Sequence, residues 1–223
     1  MIRSGGIFYH LRALRFRKAL WESHRQGVAA FLKAWNPQAR SIILIGTSAG
    51  YSIPAGWLGR FEKVIAWDPD PVARVLFERI HGIKPDWVRR KFPFSSADPM
   101  RELPRDGSAI LFCNVLGQIE IPSTRRLQKS LELHLEGREW ASYHDALSGD
   151  GIDFDLEDAR PEKASVPAMK NWVYVRNPGL QTVEVNAHHA PDLFGGGSGW
   201  GYRYWQWRIT PEQTHLIEGV FRE

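Results

Sequence analysis

The chain has 223 residues, of which 43% are hydrophobic and 24% are charged, values that are typical of one globular domain and exclude a disordered chain. The net charge of +4 allows an anionic ligand without identifying one. Cys113 is the only cysteine, which excludes an intramolecular disulfide and favours a reducing compartment. No apolar run is long enough to cross a bilayer and the first residues lack the apolar core of a secretory signal, so we expect a cytoplasmic protein without a membrane partner.

The N-terminal segment, residues 1–40, is predicted to be helical. Between residues 7 and 35, apolar residues recur at three- and four-residue spacing and form one stripe, which indicates an amphipathic helix. Gly27 is the position where such a helix would break. The residues of the stripe are Ile7, Leu11, Leu14, Trp21, Val28, Leu32 and Trp35.

A buried strand follows, because Ser41–Ile45 is an uninterrupted run of apolar and β-branched residues, as in parallel sheets that are covered on both faces. The run leads into a glycine-containing turn at 46–50 and a short helical stretch that ends near Phe61. A second strand at 64–67 ends at Asp68. This order of elements predicts a βαβ unit with a right-handed crossover.

The helix after the second strand has clear boundary signals. Asp70 is an N-cap residue, Pro71 suits the first helical position, and Gly82 suits the C-terminal cap. The later elements are predicted at 92–96 (strand), 108–113 (strand), 122–136 (helix) and 139–143 (strand), then 172–175 and 182–185 (a strand pair), 202–209 and 215–221 (strands).

The last two strands are joined by a link that is too short for a parallel crossover, so they must be antiparallel. Residues 149–201 interrupt the alternation of strands and helices, and we interpret them as an insertion or lid within a single domain that spans residues 1–223. The sequence therefore predicts an α/β fold with a seven-stranded, mostly parallel sheet whose last strand is antiparallel and inserted beside its partner.

Polar residues and glycines gather at the carboxyl ends of the predicted strands, where open α/β sheets bind their ligands. Glycines allow a close approach of the backbone, and an acid after the second strand accepts hydrogen bonds from ribose hydroxyls. Each residue alone is most simply a turn or cap residue, but together they predict a nucleoside site. The positions are the turn at 46–50, Asp68, Asp98, Asn114, His144 and Asp145.

The order of elements resembles that of class I S-adenosylmethionine-dependent methyltransferases, over roughly the whole chain outside residues 149–201. In that family the first strand leads into an acid-x-Gly-x-Gly-x-Gly turn. Residues 44–50 here read Leu-Ile-Gly-Thr-Ser-Ala-Gly, so the outer glycines, Gly46 and Gly50, match. Leu44 replaces the acid and Ser48 replaces the middle glycine, which makes this first motif degenerate.

The resemblance implies a Rossmann-like three-layer sandwich that binds S-adenosylmethionine and transfers its methyl group to an acceptor. It implies that Asp68 binds the ribose and that Asp98 lies near the adenine. For the acceptor side we expect Asn114, His144 and Asp145 as catalytic residues, with Gln118 as a further polar group and the loop at 195–201, beside Trp200 and Tyr202, as a lid. The expected cofactor-binding residues are Gly46, Thr47, Ser48, Gly50, Asp68 and Asp98.

Two other functions remain open. A methyltransferase-like domain with a degenerate first motif is also compatible with binding a ligand or a partner protein without turnover. The turn at 46–50 satisfies Gly-x-Ser-x-Gly as well, the pattern of a serine hydrolase with Ser48 as nucleophile. The acid would then be Asp145 or Asp192, and the base would be His188, His189 or His215.

Three further readings have weaker support. The glycine spacing is not Gly-x-Gly-x-x-Gly, which argues against a dinucleotide oxidoreductase. His188 and His189 are adjacent and lack a second pair four residues away, so we expect no metal site. The basic runs at 89–91 and 125–126, with the basic first helix, are compatible with RNA but are more simply solvated charge. The oligomeric state is left open.

Overall fold

The computed structural model describes residues 6–88, 103–104, 106–116, 124–150, 184–185 and 199–222, and the backbone alone for residues 124–128 and 184–185. Several predicted features lie outside these residues: the strands at 92–96 and 172–175, the basic run at 89–91, Asp98, Gln118, His188, His189, Asp192 and most of the loop at 195–201.

Four α-helices and one 3₁₀ helix are present in the described part of the chain. The α-helices are α1 (Ile7–Phe16), α2 (Glu22–Trp35), α3 (Pro71–His81) and α4 (Thr124–Leu135), and the 3₁₀ helix is Trp57–Arg60. The predicted caps of α3 are confirmed, because the Asp70 side chain accepts from the backbone N–H groups of Val72 and Ala73, and Gly82 adopts a left-handed conformation with φ 67°.

The strands form one mixed sheet. They are β1 (Ser41–Ile45), β2 (Lys63–Trp67), β3 (Asp86–Val88), β4 (Ala109–Cys113), β5 (Trp140–Asp150), β6 (Glu184–Val185), β7 (Trp200–Arg208) and β8 (Gln213–Arg222). Their order is β3-β2-β1-β4-β5-β8-β7, with β6 paired to β5 off this path.

The predicted fold class is confirmed by this order. The pairs β3–β2, β2–β1, β1–β4 and β4–β5 are parallel, whereas β8 is antiparallel to both of its neighbours, β5 and β7. The last strand is therefore antiparallel and inserted beside its partner, as expected for a Rossmann-like methyltransferase fold. The run Ser41–Ile45 is central in the sheet and its last four residues are buried, as its composition predicted.

The segment 7–35 is helical as predicted, but it forms two helices, because the chain turns between α1 and α2. Ala19 and Leu20 both donate their backbone N–H groups to the carbonyl of Phe16, and Trp21 is fully buried with its indole bonded to the carbonyl of Ile209. Gly27 is not a break either; it lies inside α2, where an added Cβ would be 2.4 Å from the Trp205 ring. The glycine permits close packing of α2 on β7.

Two hydrophobic cores lie on opposite faces of the sheet. On one face, α2 and α3 pack on the strands through residues that include Val28, Phe31 and Phe77. On the other face, α4 contributes Leu131 and Leu135 to a second core. The sheet is thus the middle layer of three. The face packed by α2 is called the α2 face below, and the opposite one is called the α4 face.

Candidate functional site

A cavity of about 210 Å³ lies beyond the carboxyl ends of β1, β2 and β4 on the α2 face of the sheet. The chain runs outward from β1 to β2 and β3 and then returns to place β4 on the other side of β1. The reversal makes the ends of β1 and β4 the switch point of the sheet, where open α/β folds bind ligands. The cavity therefore lies at the strand ends where the sequence predicted a ligand site.

The glycine turn after β1 has a different physical basis from the expected one. Gly46 and Gly50 have φ values of 70° and 67°, which favour glycine. A Cβ on Gly46 would be 1.8 Å from the Val115 side chain, and one on Gly50 would be 2.5 Å from His81 of α3. Both glycines are thus required by protein packing, and not by a ligand alone.

Asp68 holds this turn in place. Its Oδ2 accepts the backbone N–H of Ser48 at 2.6 Å and its Oδ1 accepts that of Asp70 at 2.9 Å. Burial raises the pKa of the Asp68 carboxyl above its ordinary value, although the two N–H donors act in the opposite direction. Each oxygen retains a second lone pair, so both can accept a further hydrogen bond.

Thr47 carries a polar atom that the described structure leaves without a partner. Its side chain is 6% exposed and lines the cavity, and Oγ1 has no hydrogen-bond partner among the described residues. An unsatisfied buried hydroxyl costs about 1–3 kcal/mol, a cost that a polar ligand in the cavity would remove. Among the expected cofactor-binding residues, Gly46, Thr47, Ser48 and Asp68 line the cavity, whereas Gly50 packs on α3.

α1 covers the cavity through Gly6 and Tyr9. The next residue, His10, is buried and bridges two other parts of the site. Its Nδ1 lies 2.8 Å from the hydroxyl of Tyr51 and its Nε2 lies 2.9 Å from Oδ2 of Asp70. A carboxylate accepts only, so Nε2 donates to Asp70. This bridge fixes α1 over the ends of β1 and β2.

Tyrosine and tryptophan rings form a further part of the cavity wall: Tyr9, Tyr51, Tyr143 and Trp207. Burial raises the pKa of the Tyr9 and Tyr143 phenols well above the ordinary value, so both are neutral at physiological pH. Burial likewise raises the pKa of the Cys113 thiol to about 12, which leaves it an unreactive thiol at this site.

His24 is a lining residue that the sequence did not indicate. Its Nε2 lies 2.9 Å from the Ser52 hydroxyl, its Nδ1 accepts from the indole of Trp205 at 2.9 Å, and its ring stacks on Trp207. Burial lowers the pKa of His24 to about 3, so the imidazole is neutral. Because Trp205 donates to Nδ1, the proton is on Nε2, and His24 has a structural role in the wall.

Asn114 and Asp145, both expected on the acceptor side, lie together beyond the end of β4. The Asn114 side chain donates to Oδ2 of Asp145 at 3.4 Å and accepts the backbone N–H of Asp145 at 3.0 Å. His215 of β8 lies 3.2 Å from the same carboxylate. Burial tends to raise the pKa of Asp145, but the contacts with His215 and Asn114 outweigh it and the pKa is lowered. Asn114 lines the cavity.

The prediction that β5 ends at His144 and Asp145 is wrong. β5 continues to Asp150 because β8 pairs with it as far as Asp150 and β6 pairs with Leu147 and Ser148. His144 is fully buried on the α4 face, with Nε2 at 3.3 Å from Oε1 of Glu218. His144 and Asn114 are therefore not on the two sides of an acceptor site.

The aromatic residues assigned to the lid also lie elsewhere. Trp200 and Tyr202 belong to β7 and pack against the core on the α4 face, where the Trp200 ring is 5.4 Å from that of Trp140. They have no place in the wall of the cavity, which is on the α2 face. The insertion predicted at 149–201 contains the end of β5, β6 and the start of β7.

The hydrolase triad is not supported by the described residues. Asp145 and His215 do form a pair, but His215 lies on β8, three strand positions from the strand that precedes Ser48. At a spacing of about 4.8 Å between strands, this is roughly 14 Å, which is too far for a hydrogen bond. No group of three His, Cys, Asp or Glu residues within the described ranges is arranged to hold a metal ion.

No known family model matches this sequence, and no curated protein sequence matches it. Several solved structures are similar to this chain. The chain is similar to magnesium protoporphyrin IX methyltransferase from Synechocystis with bound SAM, with a TM-score of 0.47, 12% identity, and coverage of 90% of this chain and 80% of that chain. It is similar to a SAM-dependent methyltransferase from Anabaena variabilis, with a TM-score of 0.49, 13% identity and coverage of 97% and 93%.

A third similar structure is N-methyltransferase NodS from Bradyrhizobium japonicum, with a TM-score of 0.48, 11% identity, and coverage of 90% of this chain and 94% of that chain. At such identities no residue role is transferred from these proteins. The order and direction of the strands described above carry the conclusion on their own: the chain has a class I S-adenosylmethionine-dependent methyltransferase-like fold.

Proposed function

We propose that this chain binds S-adenosylmethionine in the switch-point cavity and transfers the methyl group to an acceptor. The observation that carries the proposal is the position of Thr47 and Asp68 together in this cavity. Thr47 offers a buried hydroxyl that lacks a protein partner, and Asp68 offers a half-buried carboxylate at the end of β2. When bound, S-adenosylmethionine supplies an electrophilic methyl group on a sulfonium centre.

The residues of the wall fit such a molecule chemically. Asp68 would accept ribose hydroxyls, and Thr47 with the adjacent backbone would contact the polar end of the cofactor. Tyr9, Tyr51 and Trp207 present aromatic rings, which attract a sulfonium cation by cation–π interaction. The cavity is smaller than the ~300 Å³ at which pockets for drug-sized ligands begin, so we expect α1 to move outward when the cofactor binds.

On the acceptor side, Asn114 is the residue that the geometry supports. It lines the cavity and is positioned by Asp145, whose carboxylate also contacts His215. Asn114 would orient the acceptor and Asp145 would act through it. Methyl transfer depends strongly on such positioning, because it needs an in-line approach of the nucleophile.

Binding without turnover is the second candidate. It is favoured by the neutral phenols of Tyr9 and Tyr143 and by the neutral His24, none of which is an effective base in this wall. The two candidates differ in one observable: both bind S-adenosylhomocysteine, but only the enzyme converts S-adenosylmethionine to S-adenosylhomocysteine. Mass spectrometry of cofactor that co-purifies with the protein is the first measurement.

Calorimetry with S-adenosylhomocysteine tests the cofactor site. We expect Asp68→Ala to weaken binding by about 1.5–3 kcal/mol, because charge-assisted bonds to the ribose are lost. Ser48→Ala should stay within a factor of a few, since Ser48 contributes its backbone. Asp68→Asn is a partial control for the turn, since it keeps one of the two oxygens that accept from the backbone N–H groups of Ser48 and Asp70. If Ser48→Ala abolishes an esterase activity while Asp68→Ala leaves affinity unchanged, the hydrolase function is correct.

A further inference from the structure

The outer face of α1 exposes large apolar side chains. Ile7, Phe8, Leu11 and Leu14 are each more than half exposed, whereas His10 and Ala13 on the inner side are buried. Ile7, Leu11 and Leu14 form one stripe, because residues three and four apart share a helix face. The stripe expected from the sequence is thus real over α1, but in the described structure it faces outward.

The segment that carries this face is basic, and two of its cations are exposed. Between Ile7 and Trp21 the sequence has four basic residues and no acidic residue: Arg12, Arg15, Arg17 and Lys18. Arg15 and Lys18 are exposed. Arg15 follows Leu11 by four residues within α1, so this cation is a neighbour of the apolar stripe on the outer side. Lys18 lies in the turn that directly follows α1.

We propose that α1 docks by this face on an anionic lipid surface. A helix with large apolar side chains on one face and adjacent basic residues lies in the plane of a membrane interface, with its apolar side chains among the acyl chains and its cations near the headgroups. RNA would satisfy the charge but would not bury the apolar side chains. A second copy of this chain would bring like charges together.

This docking differs from membrane insertion. None of the helices in the described ranges is long and apolar enough to cross a membrane, and α1 has 10 residues. The expectation of no membrane partner was based on spanning length alone. Because Tyr9 of α1 lines the cavity and His10 bonds to Tyr51 and Asp70, a surface that binds α1 would also act on access to the cavity.

Co-sedimentation of the full chain with lipid vesicles tests the proposal. Vesicles of phosphatidylcholine alone are compared with vesicles that also contain phosphatidylglycerol. We expect binding to the anionic vesicles that falls as salt rises. The double variant Leu11→Gln, Leu14→Gln should bind about tenfold weaker for each leucine removed. The matched control is Leu133→Gln on α4, because Leu133 is 64% exposed and Leu14 is 65% exposed; its binding should not change.

A charge-reversal variant, Arg15→Glu with Lys18→Glu, gives a second measurement that does not depend on the leucine variant being folded. It should bind anionic vesicles at least about fivefold weaker for each basic residue that is replaced. Circular dichroism should show unchanged unfolding for every variant. The proposal is overturned if the wild-type chain does not sediment with anionic vesicles, or if the leucine and control variants behave alike. Concentration-dependent self-association or binding of single-stranded RNA through this face, without vesicle binding, also overturns it.

Discussion

On the α2 face of β5, Asp145 bonds to Asn114 at the edge of the cavity, whereas on the α4 face the neighbouring residue, His144, pairs with Glu218 in the interior. Both residues are polar and adjacent in sequence. Successive side chains of a strand point to opposite faces, so one residue contacts a cavity wall and the other is enclosed by core. Adjacent polar residues in a strand are therefore candidates for two different roles.

The two environments differ in what they require of the side chains. His144 and Glu218 are completely buried, and the Glu218 carboxylate also accepts from the Tyr204 hydroxyl at 2.6 Å. Ser142 lies 3.2 Å from the other imidazole nitrogen. Such a network maintains the packing of β5, β8 and β7, while Asp145 and His215, which are 10% and 12% exposed, lie beside the cavity.

The largest effect is expected from His144→Leu. Removing one member of a buried pair leaves the Glu218 carboxylate with less compensation and costs about 3–5 kcal/mol of unfolding free energy. His144→Leu with Glu218→Met should recover most of this loss, because both polar groups are then replaced by apolar side chains. Denaturant unfolding gives both values. A stable His144→Leu variant that has lost methyl transfer would instead place His144 in the site.

Packing on the α2 face is tested by Gly27→Ala. The added methyl group would be 2.4 Å from the Trp205 ring, which also bonds to His24, so we expect a loss of about 1–3 kcal/mol in unfolding free energy. Gly59→Ala is the matched control, since nothing lies within 4 Å of its Cβ position, and its stability should be unchanged or slightly higher. Equal stability of the two variants would contradict the close packing of α2 on β7.

A smaller effect concerns the pH dependence due to His24. Burial lowers its pKa from 6.5 to about 3 in the folded chain. As pH falls below 6.5, the unfolded chain gains a proton that the folded chain does not, so stability decreases, by about 1 kcal/mol between pH 6 and pH 5. Between pH 6 and pH 5, the His24→Gln variant should lose about 1 kcal/mol less unfolding free energy than the wild-type chain. An NMR titration of His24 near its ordinary pKa would show that the ring is not enclosed.

The elements with strong local signals were predictable. Ser41–Ile45 has no polar face, Asp70 and Gly82 mark the ends of α3, and the short link between β7 and β8 allows only an antiparallel pair. The turn between α1 and α2 was not, because no proline marks it and the buried Trp21 bonds to Ile209, far along the chain. Tertiary contact, and not local propensity, determines that boundary.

The candidate site was predictable only where position in the fold determines it. Asp68 and Asn114 follow strands directly, so the topology alone brings them to the cavity. His10 and His24 belong to helices, and their partners Asp70 and Trp205 are distant in sequence. His144 was assigned to the site because the length of β5 depends on pairing with β8, which composition does not reveal.

The insertion of β8 between β5 and β7 has a consequence for synthesis on the ribosome. β5 pairs with β8 from Ala141–Phe221 through Asp150–Gln213, and β7 pairs with β8 along its other edge. Until β8 has emerged, β5 and β7 each present an open strand edge, which is a site for aggregation. The strands of the parallel half of the sheet, β1 to β5, all precede β8 in the chain. The nascent chain therefore passes through a state in which β5 and β7 lack their shared partner strand.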